Sequence, residues 1–549
     1  MKSLVTCLLA AGALALGTPY ASFAQETPVV TEVPRVVIAP PQSRLAEIIK
    51  GSLSQAYYGT SKESRAYAAA QKLYFFYGAR HFEPLWLTQG ADGQTKFSPA
   101  AEKIMALFKD AELEGLRPSD YLTQALTVTG TGEDPERLAA LETAFSNATA
   151  LYAQHIYAGR IAPRQVSANF DITPRRIDEA DLLVKLADAQ DPAKILLALE
   201  PKHREFQALK AALAKFHDGM ANDPVTVPEG QLLRVGMSDP RVPVLRQRLE
   251  VPQGSDSVYD EALAQAVMTF QDSLGLKADG VVGPATVAAL NGGSATTRED
   301  IIANMERWRW MPETLGNFHV LVNIPEFRLY VERGDHDAGY EVAYTTRVVV
   351  GTPKNQTPIF SDQIRHIVVN PYWNVPASIA KNEIAPKLAA NPYYLDSQNM
   401  ELLYGGQVVN AAMVDWYRTD VNQFRIRQRP GPSNALGAVK FLFPNSHDVY
   451  LHDTPSKSLF GNSQRAYSHG CVRVQNPMEF ADALLGLEPN MNATKLEAMY
   501  GPAERWVNLE NKVPVHLAYF TLRVGEDGTI RSYGDVYGHN KRLIELLEL

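Results

Sequence analysis

One cysteine in the C-terminal quarter of the chain has the neighbours that thiol chemistry requires. Cys471 follows His469 by two residues and His452 by nineteen. A thiol attacks a carbonyl only as its thiolate, so a catalytic cysteine needs a nearby base or positive charge to lower its pKa. We therefore consider Cys471 a candidate nucleophile and the two histidines candidate bases.

The residues just before the first histidine alternate between apolar and polar. Val449 and Leu451 are apolar, whereas Tyr450 and His452 are polar, and this period of two is typical of a half-buried strand. Tyr450 and His452 would therefore share one face of that strand, and the tyrosine hydroxyl becomes a candidate participant in the chemistry.

The segment that holds the cysteine has a similar pattern if it is also extended. His469, Cys471 and Arg473 would then share a face, and Gly470 would let the backbone approach a ligand closely. The backbone N–H groups of Gly470 and Cys471 are natural donors to an oxyanion. Cysteine–histidine acyl transfer is the chemistry that this arrangement favours.

Two other interpretations of the same residues remain open at this point. A lone cysteine is often a small buried hydrophobe, and a lone histidine is often a satisfied core residue. A zinc site built from His452, Asp453, His469 and Cys471 is also conceivable, because all four side chains are zinc ligands.

Two motifs carry a resemblance to a known family. Residues 468–473 read SHGCVR, and with His452 nineteen residues before the cysteine they resemble the signature of the YkuD-type L,D-transpeptidase catalytic domain. A second block, residues 428–437, reads QRPGPSNALG and resembles the large periplasmic YcbB-like branch of that family. The resemblance extends over nearly the whole chain, more diffusely in its N-terminal third.

The resemblance implies roles for the site residues. Cys471 is then the nucleophile, His452 the general base, and the backbone carbonyl of Asp453 the group that orients His452. His469 lines the site, Gly470 supplies an oxyanion donor, and Tyr450 assists. The residues that we expect to contact substrate are Ser468, Arg473, Arg427 and Trp416.

The resemblance also supplies the reaction and the partner. It implies acyl transfer through a thioester, with peptidoglycan stem peptides as substrates, a tetrapeptide donor that loses its terminal D-alanine, and a neighbouring stem amine as acceptor. We expect no cofactor and no metal. The alternatives are an L,D-carboxypeptidase, in which water resolves the thioester, a zinc peptidase, and a wall-binding protein with an inactive site.

Composition and the first residues place the protein in a broad class. A chain of 549 residues with 45% hydrophobic content predicts two to four domains, and a net charge of −8 without charge blocks makes nucleic acid an unexpected partner. Residues 1–24 predict a secretory signal, with Lys2 before an apolar run and a small-residue site at 22–24. Its removal would eliminate Cys7 and leave one thiol in an exported protein without a membrane span, and the resemblance implies that the compartment is the periplasm.

Linker segments and helix-start signals along the chain predict its domains. Residues 25–42 are expected to be an extended linker, and residues 43–225 a helical scaffold whose helices start at Ser98-Pro99, Asp134-Pro135 and Asp191-Pro192. Residues 231–292 are similar to the small three-helix peptidoglycan-binding domain. Whether this copy binds glycan is left open, because such a module can serve as a docked spacer.

Strand patterns dominate the remainder, so the fold class is an α+β multidomain protein. The catalytic domain is predicted over 299–537, with a hairpin at 515–533 in the same sheet, and residues 538–549 as a tail. Residues 371–436 are too long for an ordinary loop and predict an inserted capping subdomain. Its Arg427 lies in an alternating basic stripe suited to carboxylates.

Overall fold

The computed structural model describes residues 38–549 except 92, 128–133, 218–226, 250, 253–256, 274–275, 291–295, 336–338 and 526–527. The expected signal segment, most of the expected N-terminal linker, most of the expected 221–230 linker, residues 291–295 and the tip of the 515–533 hairpin lie outside the described residues. Among the described residues, no helix combines the length and apolar content that crossing a bilayer requires.

The N-terminal part is a helical domain with one aromatic core. Ser98 and Asp134 cap their helices by accepting from Ala101 N–H and Glu136 N–H, and each is followed by a first-turn proline. The elements are α1 (Arg44–Tyr58), α2 (Arg65–Ala79), β1 (Leu87–Gln89), β2 (Thr95–Phe97), α3 (Pro99–Lys109), α4 (Gln124–Thr127), α5 (Pro135–Ala158), α6 (Pro163–Val166), α7 (Glu179–Ala187), α8 (Pro192–Leu197) and α9 (Arg204–His217).

Helix α9 does not share the core of the other scaffold helices. Its Phe206, Leu209 and Leu213 are buried in the same apolar cluster as the C-terminal sheet, and α9 packs on the helix that precedes that sheet. The apolar residues recur every three or four positions, which gives one continuous stripe on the helix. The scaffold is therefore joined to the sheet domain through packed side chains.

The small module consists of three short helices around an apolar core that includes Leu245, Tyr259 and Leu263. They are α10 (Val242–Arg248), α11 (Glu261–Ser273) and α12 (Pro284–Leu290). Asp272 at the end of α11 binds Arg328 and Arg347 of the sheet domain at 3.1 and 2.6 Å. The module is thus docked on the sheet by a carboxylate between two guanidinium groups.

The C-terminal part is a β-rich domain with an inserted unit. Its helices are α13 (Arg298–Trp310), α14 (Ala377–Ile379), a π-helical turn (Ala380–Ile384), α15 (Ala385–Ala390), α16 (Tyr394–Ser397), α17 (Pro477–Leu485), α18 (Ala493–Glu497) and α19 (His539–Leu547). Its strands are β3 (Phe318–Asn323), β4 (Arg328–Asp335), β5 (Gly339–Gly351), β6 (Phe360–Val369), β7 (Trp373–Asn374), β8 (Met400–Tyr404), β9 (Gln407–Val409), β10 (Arg425–Gln428), β11 (Val439–Leu442), β12 (Leu451–His452), β13 (Ala466–Ser468), β14 (Val472–Val474), β15 (Arg505–Ala518), β16 (Leu522–Val524) and β17 (Ile530–Ser532).

Nine of these strands form one sheet that closes on itself. Their order is β13-β5-β14-β12-β11-β6-β15-β3-β4, and β4 also pairs with β5. The long β5 makes both connections, since its first half pairs with β4 and its last residues pair with β14. Strands β12 and β14, which carry the candidate catalytic residues, lie side by side within this closed sheet.

The inserted segment folds as a separate unit, which we call the cap (residues 371–436). It has its own four-stranded sheet in the order β7-β10-β8-β9 and its own apolar core, which includes Leu388, Leu402 and Ile426. The cap enters directly after β6 and leaves directly before β11, so both of its ends are fixed to neighbouring strands of the large sheet.

Two sequence predictions at the C-terminal end are corrected. The predicted hairpin is divided between two sheets: residues 515–518 are the end of β15 in the large sheet, whereas β16 and β17 pair with each other in a separate two-stranded sheet. Residues 538–549, predicted as a tail, form α19, which packs on α13 and buries Leu543 and Leu547. The spacing of these two leucines puts them on one helix face, and that face completes the core.

Candidate functional site

The parallel pairing of β12 and β14 brings the two candidate segments together. Leu451 lies opposite Val472 and His452 opposite Arg473, and the Val472 N–H donates to the Tyr450 carbonyl at 3.1 Å. Leu451 and Val472 are fully buried in the core. Because side chains alternate along a strand, their sequence neighbours project from the opposite face.

That opposite face carries four candidate residues together. In this register Tyr450 lies beside Cys471, and His452 lies beside Arg473. His452 is therefore the diagonal neighbour of Cys471, a relation within reach of long or aromatic side chains. The alternation predicted from sequence thus places these side chains as expected, although the sequence could not show that the strands pair in parallel.

The imidazole of His452 is fixed in one tautomer. Its Nδ1 lies 2.5 Å from the Asp453 carbonyl oxygen, and a carbonyl only accepts, so Nδ1 carries the proton and Nε2 keeps a lone pair. Burial, followed by the charge of Arg473, lowers the pKa of His452 to about 3. At neutral pH the residue is a neutral imidazole with a free acceptor nitrogen.

Asp453, whose carbonyl holds His452, is itself held from two sides. Its carboxylate accepts from the Ala438 N–H at 2.9 Å and from Lys457 Nζ at 2.6 Å. Gly437, with φ +61°, leaves room for this carboxylate, because a Cβ there would lie 2.2 Å from Asp453 Oδ2. The end of the QRPGPSNALG block therefore shapes the support of the histidine.

The Cys471 thiol lies in a pocket that disfavours its ionisation. Burial raises its pKa to about 11, although hydrogen bonds from the Tyr450 backbone and hydroxyl and the nearby Arg473 act in the opposite direction. Its Sγ also lies 3.8 Å from the Asp448 carbonyl oxygen. The resting pair is therefore a thiol beside a neutral imidazole.

The turn before Cys471 is held by buried hydroxyl groups. Ser468 Oγ donates to the Cys471 carbonyl at 2.5 Å and accepts from the Gly470 N–H at 3.1 Å. Thr357 Oγ1 donates to the Gly470 carbonyl at 2.8 Å. Gly470 has φ +119°, a backbone conformation that residues other than glycine rarely adopt.

These contacts correct two expectations. Ser468 is 2% exposed and its hydroxyl is bonded on both sides, so it supports the turn and does not face a substrate. The Gly470 N–H already donates to Ser468, so it is not free to hold an oxyanion in this conformation.

His469 connects the turn to the cap. Its Nε2 lies 2.7 Å from Glu383 Oε1 in the π-helical turn of the cap, and both side chains are about half exposed. His469 thus makes a direct polar contact between the cap and the loop that carries Cys471.

A cavity of about 280 Å³ lies between the cap and residues 454–456 of the large domain. Arg473 forms part of its wall, and cationic Lys387 reaches it from the cap side. Its lining is completed by Trp373, Ile379, Glu383, Ile384, Tyr394, Gln398, Met400, Gln428, Ser433, Ala435, Thr454, Pro455 and Ser456.

Two predicted substrate contacts lie elsewhere. Trp416 belongs to the apolar core of the cap, and its indole N–H donates to the Ala411 carbonyl at 2.8 Å. Arg427 binds Glu401 at 2.6 Å and stacks over Tyr372 at 4.4 Å. Neither side chain lines the cavity, because a buried partner on the cap already engages each of them.

Sequence reasoning missed two residues that act on the site. Lys440 lies directly opposite His452 in the β11–β12 register; it is 8% exposed and its pKa is lowered by burial. Thr357 supports Gly470 from a loop more than a hundred residues away. No local signal identifies either residue, since both act through strand pairing or long-range contacts.

The described part of the chain contains no cluster of ligands for the zinc site considered from the sequence. No group of three or more His, Cys, Asp or Glu side chains gathers there in an arrangement that could hold a metal ion. His469 turns instead to the cap, and the Asp453 carboxylate to Ala438 and Lys457.

Comparisons with known families match three segments of the chain. Residues 317–505 match the model described as the L,D-transpeptidase catalytic domain, residues 240–290 the "Putative peptidoglycan binding domain", and residues 71–213 a scaffold domain. The resemblance to the YkuD catalytic domain and to the binding module is confirmed, and so is the α+β multidomain organisation.

Individual proteins are similar over about half of the chain. A Haemophilus influenzae (strain ATCC 51907 / DSM 11121 / KW20 / Rd) protein named "Putative L,D-transpeptidase" is 35% identical over 251 residues, which are 45% of this chain and 49% of that protein. The chain thus spans about half the length of this curated relative.

Two solved structures are also similar to parts of the chain. The crystal structure of the L,D-transpeptidase from Xylanimonas cellulosilytica DSM 15894 has 18% identity and a TM-score of 0.19, and covers 53% of this chain and 98% of that chain. A fused Zn-dependent amidase/peptidase/peptidoglycan-binding domain-containing protein from Clostridium acetobutylicum ATCC 824 has 12% identity and a TM-score of 0.15, and covers 53% and 100%.

Proposed function

We propose that this chain, whose residues 317–505 match the L,D-transpeptidase catalytic domain, is a cysteine L,D-transpeptidase that cross-links peptidoglycan stem peptides. The observation that carries the proposal is the placement of His452. The Asp453 carbonyl leaves its Nε2 as an acceptor, and the β12–β14 register makes it the diagonal neighbour of the only cysteine in the described residues.

The first half-reaction forms a thioester. His452 Nε2 accepts the proton of Cys471, and Sγ attacks the carbonyl carbon of the donor bond that precedes the terminal D-alanine. The protonated His452 then gives its proton to the leaving amine, and D-alanine departs. Since both groups are neutral at rest, the proton moves together with the attack and no standing thiolate is required.

The developing oxyanion needs donors on the same face as the sulfur. We assign this role to the Cys471 N–H and the Tyr450 hydroxyl, because Tyr450 already hydrogen-bonds to the thiol and the Gly470 N–H is engaged by Ser468. Donors that are fixed before the reaction stabilise the transition state without reorganisation.

Arg473 is the group that we assign to the donor's terminal carboxylate. Its guanidinium lines the cavity beneath the cap and lies on the strand of the nucleophile, and guanidinium groups bind carboxylates through two parallel hydrogen bonds. Lys387, which belongs to the cap, lines the same cavity and adds a second positive charge.

The second half-reaction transfers the acyl group to an amine of a neighbouring stem. The cap favours this outcome over hydrolysis, because the Glu383–His469 contact closes it against the nucleophile loop and limits access of water to the thioester. If water resolves the thioester instead, the protein is an L,D-carboxypeptidase. Peptidoglycan as substrate, together with the predicted signal segment, favours an exported protein that acts in the periplasm.

A reaction with a defined donor tests the proposal. The full chain is incubated with a disaccharide tetrapeptide, the products are separated by chromatography, and their masses are determined by mass spectrometry. A cross-linked dimer supports a transpeptidase, and a trimmed tripeptide alone supports the carboxypeptidase. Cys471→Ala should give neither product, and product formation by that variant would contradict the assignment.

The two histidines of the site give a matched comparison for the base. We expect His452→Ala to lower the rate of donor consumption by roughly 10²–10⁴-fold, the range of a general base. His469→Ala removes the same ring from the entrance and should have a smaller effect. The reverse ranking in folded variants would exchange the two roles.

A further inference from the structure

A cleft of about 660 Å³ lies between the small module and the loop that leads to the nucleophile. The catalytic domain lines it with residues 461–464 and Tyr467, just before the SHGCVR segment. The module lines it with Lys277, Asp279 and neighbouring residues of α11 and α12. The cleft is thus shared by two domains and is separate from the cavity beneath the cap.

The two walls of the cleft are held at a fixed spacing. Arg347 reaches both sides, because its Nη2 binds Asp272 of the module at 2.6 Å and its Nη1 donates to the Phe460 carbonyl at 3.3 Å. Buried Arg465 donates to the Asn462 carbonyl at 2.7 Å. A ligand would therefore enter a site that is largely formed in advance, which lowers the entropic cost of binding.

The lining has the chemistry of a neutral, polar ligand. It combines the side-chain amides of Asn462 and Gln464 with the aromatic ring of Tyr467, which is 42% exposed. The Asn462 amide N–H donates to the Tyr467 hydroxyl at 3.1 Å. The two charged side chains of the lining, Lys277 and Asp279, lie 3.3 Å apart and neutralise each other. Amides and an exposed ring suit a saccharide, whose ring faces are apolar and whose edges carry hydroxyl and acetamido groups.

The position of the cleft relative to the nucleophile fits such a ligand. Tyr467 precedes Cys471 by four residues, a separation of at most about 14 Å along an extended chain. A stem of four extended residues spans roughly the same distance of about 14 Å. A sugar bound beside Tyr467 could therefore place the peptide that it carries at the sulfur.

We propose that this cleft is a saccharide subsite, built jointly by the module and residues 461–467, which holds the glycan strand whose stem peptide enters the Cys471 site. The proposal rests on the proposed function for its substrate. It goes beyond that function because it makes the catalytic domain, through Tyr467 and Asn462, one wall of the glycan site.

Binding without reaction tests the subsite independently of the activity. Glycan strands of alternating N-acetylglucosamine and N-acetylmuramic acid, freed of peptide and with each lactyl carboxyl converted to its amide so that the probe is neutral like the peptide-bearing strand, are titrated into full-length Cys471→Ala protein, and the dissociation constant is measured by calorimetry. Tyr467→Ala in that background should weaken binding roughly tenfold, the loss expected for an aromatic contact and its hydrogen bond. Tyr58→Ala, which removes a tyrosine 72% exposed on α1, should leave the constant unchanged.

Kinetics with two donors then test the coupling to the Cys471 site. In otherwise unchanged protein, Tyr467→Ala should raise the KM of a disaccharide tetrapeptide roughly tenfold and leave the KM of the free tetrapeptide unchanged. Absence of glycan binding, binding that Tyr467→Ala does not weaken, or equal changes for the two donors would overturn the subsite. A wild-type protein that binds glycan but consumes neither donor would contradict the proposed function and leave the subsite supported.

Discussion

The imidazole of His452 and the thiol of Cys471 are both uncharged over the physiological pH range, because burial lowers the pKa of the histidine to about 3 and raises that of the cysteine to about 11. A buried pair of this kind avoids the cost of holding two separated charges in a protein interior. The reactivity of the site then depends on the alignment of the pair with the donor carbonyl.

This protonation state predicts a flat pH profile. The rate of acylation of Cys471 should change less than about threefold between about pH 5 and pH 9, because His452 stays neutral above its pKa and Cys471 stays protonated below its own. Acylation should fall only toward pH 3, where His452 gains a proton. The acylation rate is measured at each pH from reactions quenched at set times. A rate that follows an ionisation between pH 6 and pH 8 would contradict the neutral pair.

The site residues divide by how local their signals are. Cys471, His452 and Asp453 could be identified from sequence because the motif places them within twenty residues. Lys440 and Thr357 could not, since strand pairing brings them in from other segments. Trp416 and Arg427 were assigned to the wrong environment, because residue type does not indicate which face of the cap a side chain occupies.

Among the elements that surround the pair, the loop after β10 sets the position of Asp453. Asn434, fully buried, donates from its side-chain amide to the Pro371 carbonyl at 3.0 Å and to the Arg429 carbonyl at 2.9 Å. The loop therefore fastens both ends of the cap to each other before the chain reaches Gly437 and Asp453.

Gly437 gives the sharpest test of this loop. In Gly437→Ala the new Cβ would meet Asp453 Oδ2 at 2.2 Å, which displaces the residue whose carbonyl fixes His452. Acylation should fall roughly tenfold or more, as expected when a supporting group shifts by about an ångström. Gly405→Ala has a similar φ of +56° but no atom within 4 Å, so it controls for backbone strain; equal rates for the two variants would contradict the role of Gly437.

The contact between the cap and the nucleophile loop is tested by Glu383→Gln. The ion pair between Glu383 and His469 is about half exposed. Its loss should therefore reduce the free energy that favours the closed position of the cap over an open one by no more than about 1 kcal/mol. We expect alkylation of Cys471 by a bulky maleimide to become about two- to fivefold faster and the ratio of trimmed to cross-linked product to rise. Asp396→Asn, an exposed change on the same cap, is the control, and unchanged accessibility in Glu383→Gln would contradict a closing role.

The regular elements followed from the sequence more closely than their assembly did. Alternation located β3, β4, β5, β6 and β11, and proline after a capping residue located the starts of α3 and α5. The closure of the sheet through β5 could not be predicted, because one strand pairs with β4 along its first half and with β14 at its end. The docking of α19 was missed because nine residues give a weak periodic signal.

At the scale of the whole molecule, ion pairs fix the domains to one another. Glu205 on α9 binds Arg523 of the β16–β17 hairpin at 2.7 Å, and both side chains are at least 86% buried. Asp272 plays the corresponding role for the small module. Both preceding domains therefore form ion pairs with the C-terminal domain. The order of the domains in the sequence did not indicate these contacts.

Glu205→Gln tests how far the scaffold stabilises the sheet. Loss of the charged hydrogen bonds to buried Arg523 should lower the stability of the folded chain by about 2–3 kcal/mol, seen as a lower midpoint of thermal unfolding. Glu545→Gln removes a carboxylate that pairs with Arg542 at the surface, with both side chains 50% exposed, and should change the midpoint little. Equal midpoints for the two variants would contradict a structural role for the α9 contact.

The central claim is that Cys471 is acylated and that His452 makes this possible. Intact-protein mass spectrometry after exposure to a β-lactam of the carbapenem type tests it most directly, because a stable acyl-enzyme records nucleophilic attack without requiring turnover. We predict one added drug mass, mapped by proteolysis to the peptide that contains Cys471, a much slower adduct in His452→Ala and none in Cys471→Ala. An adduct that persists in Cys471→Ala, or a wild-type protein that gains no mass, would contradict the account.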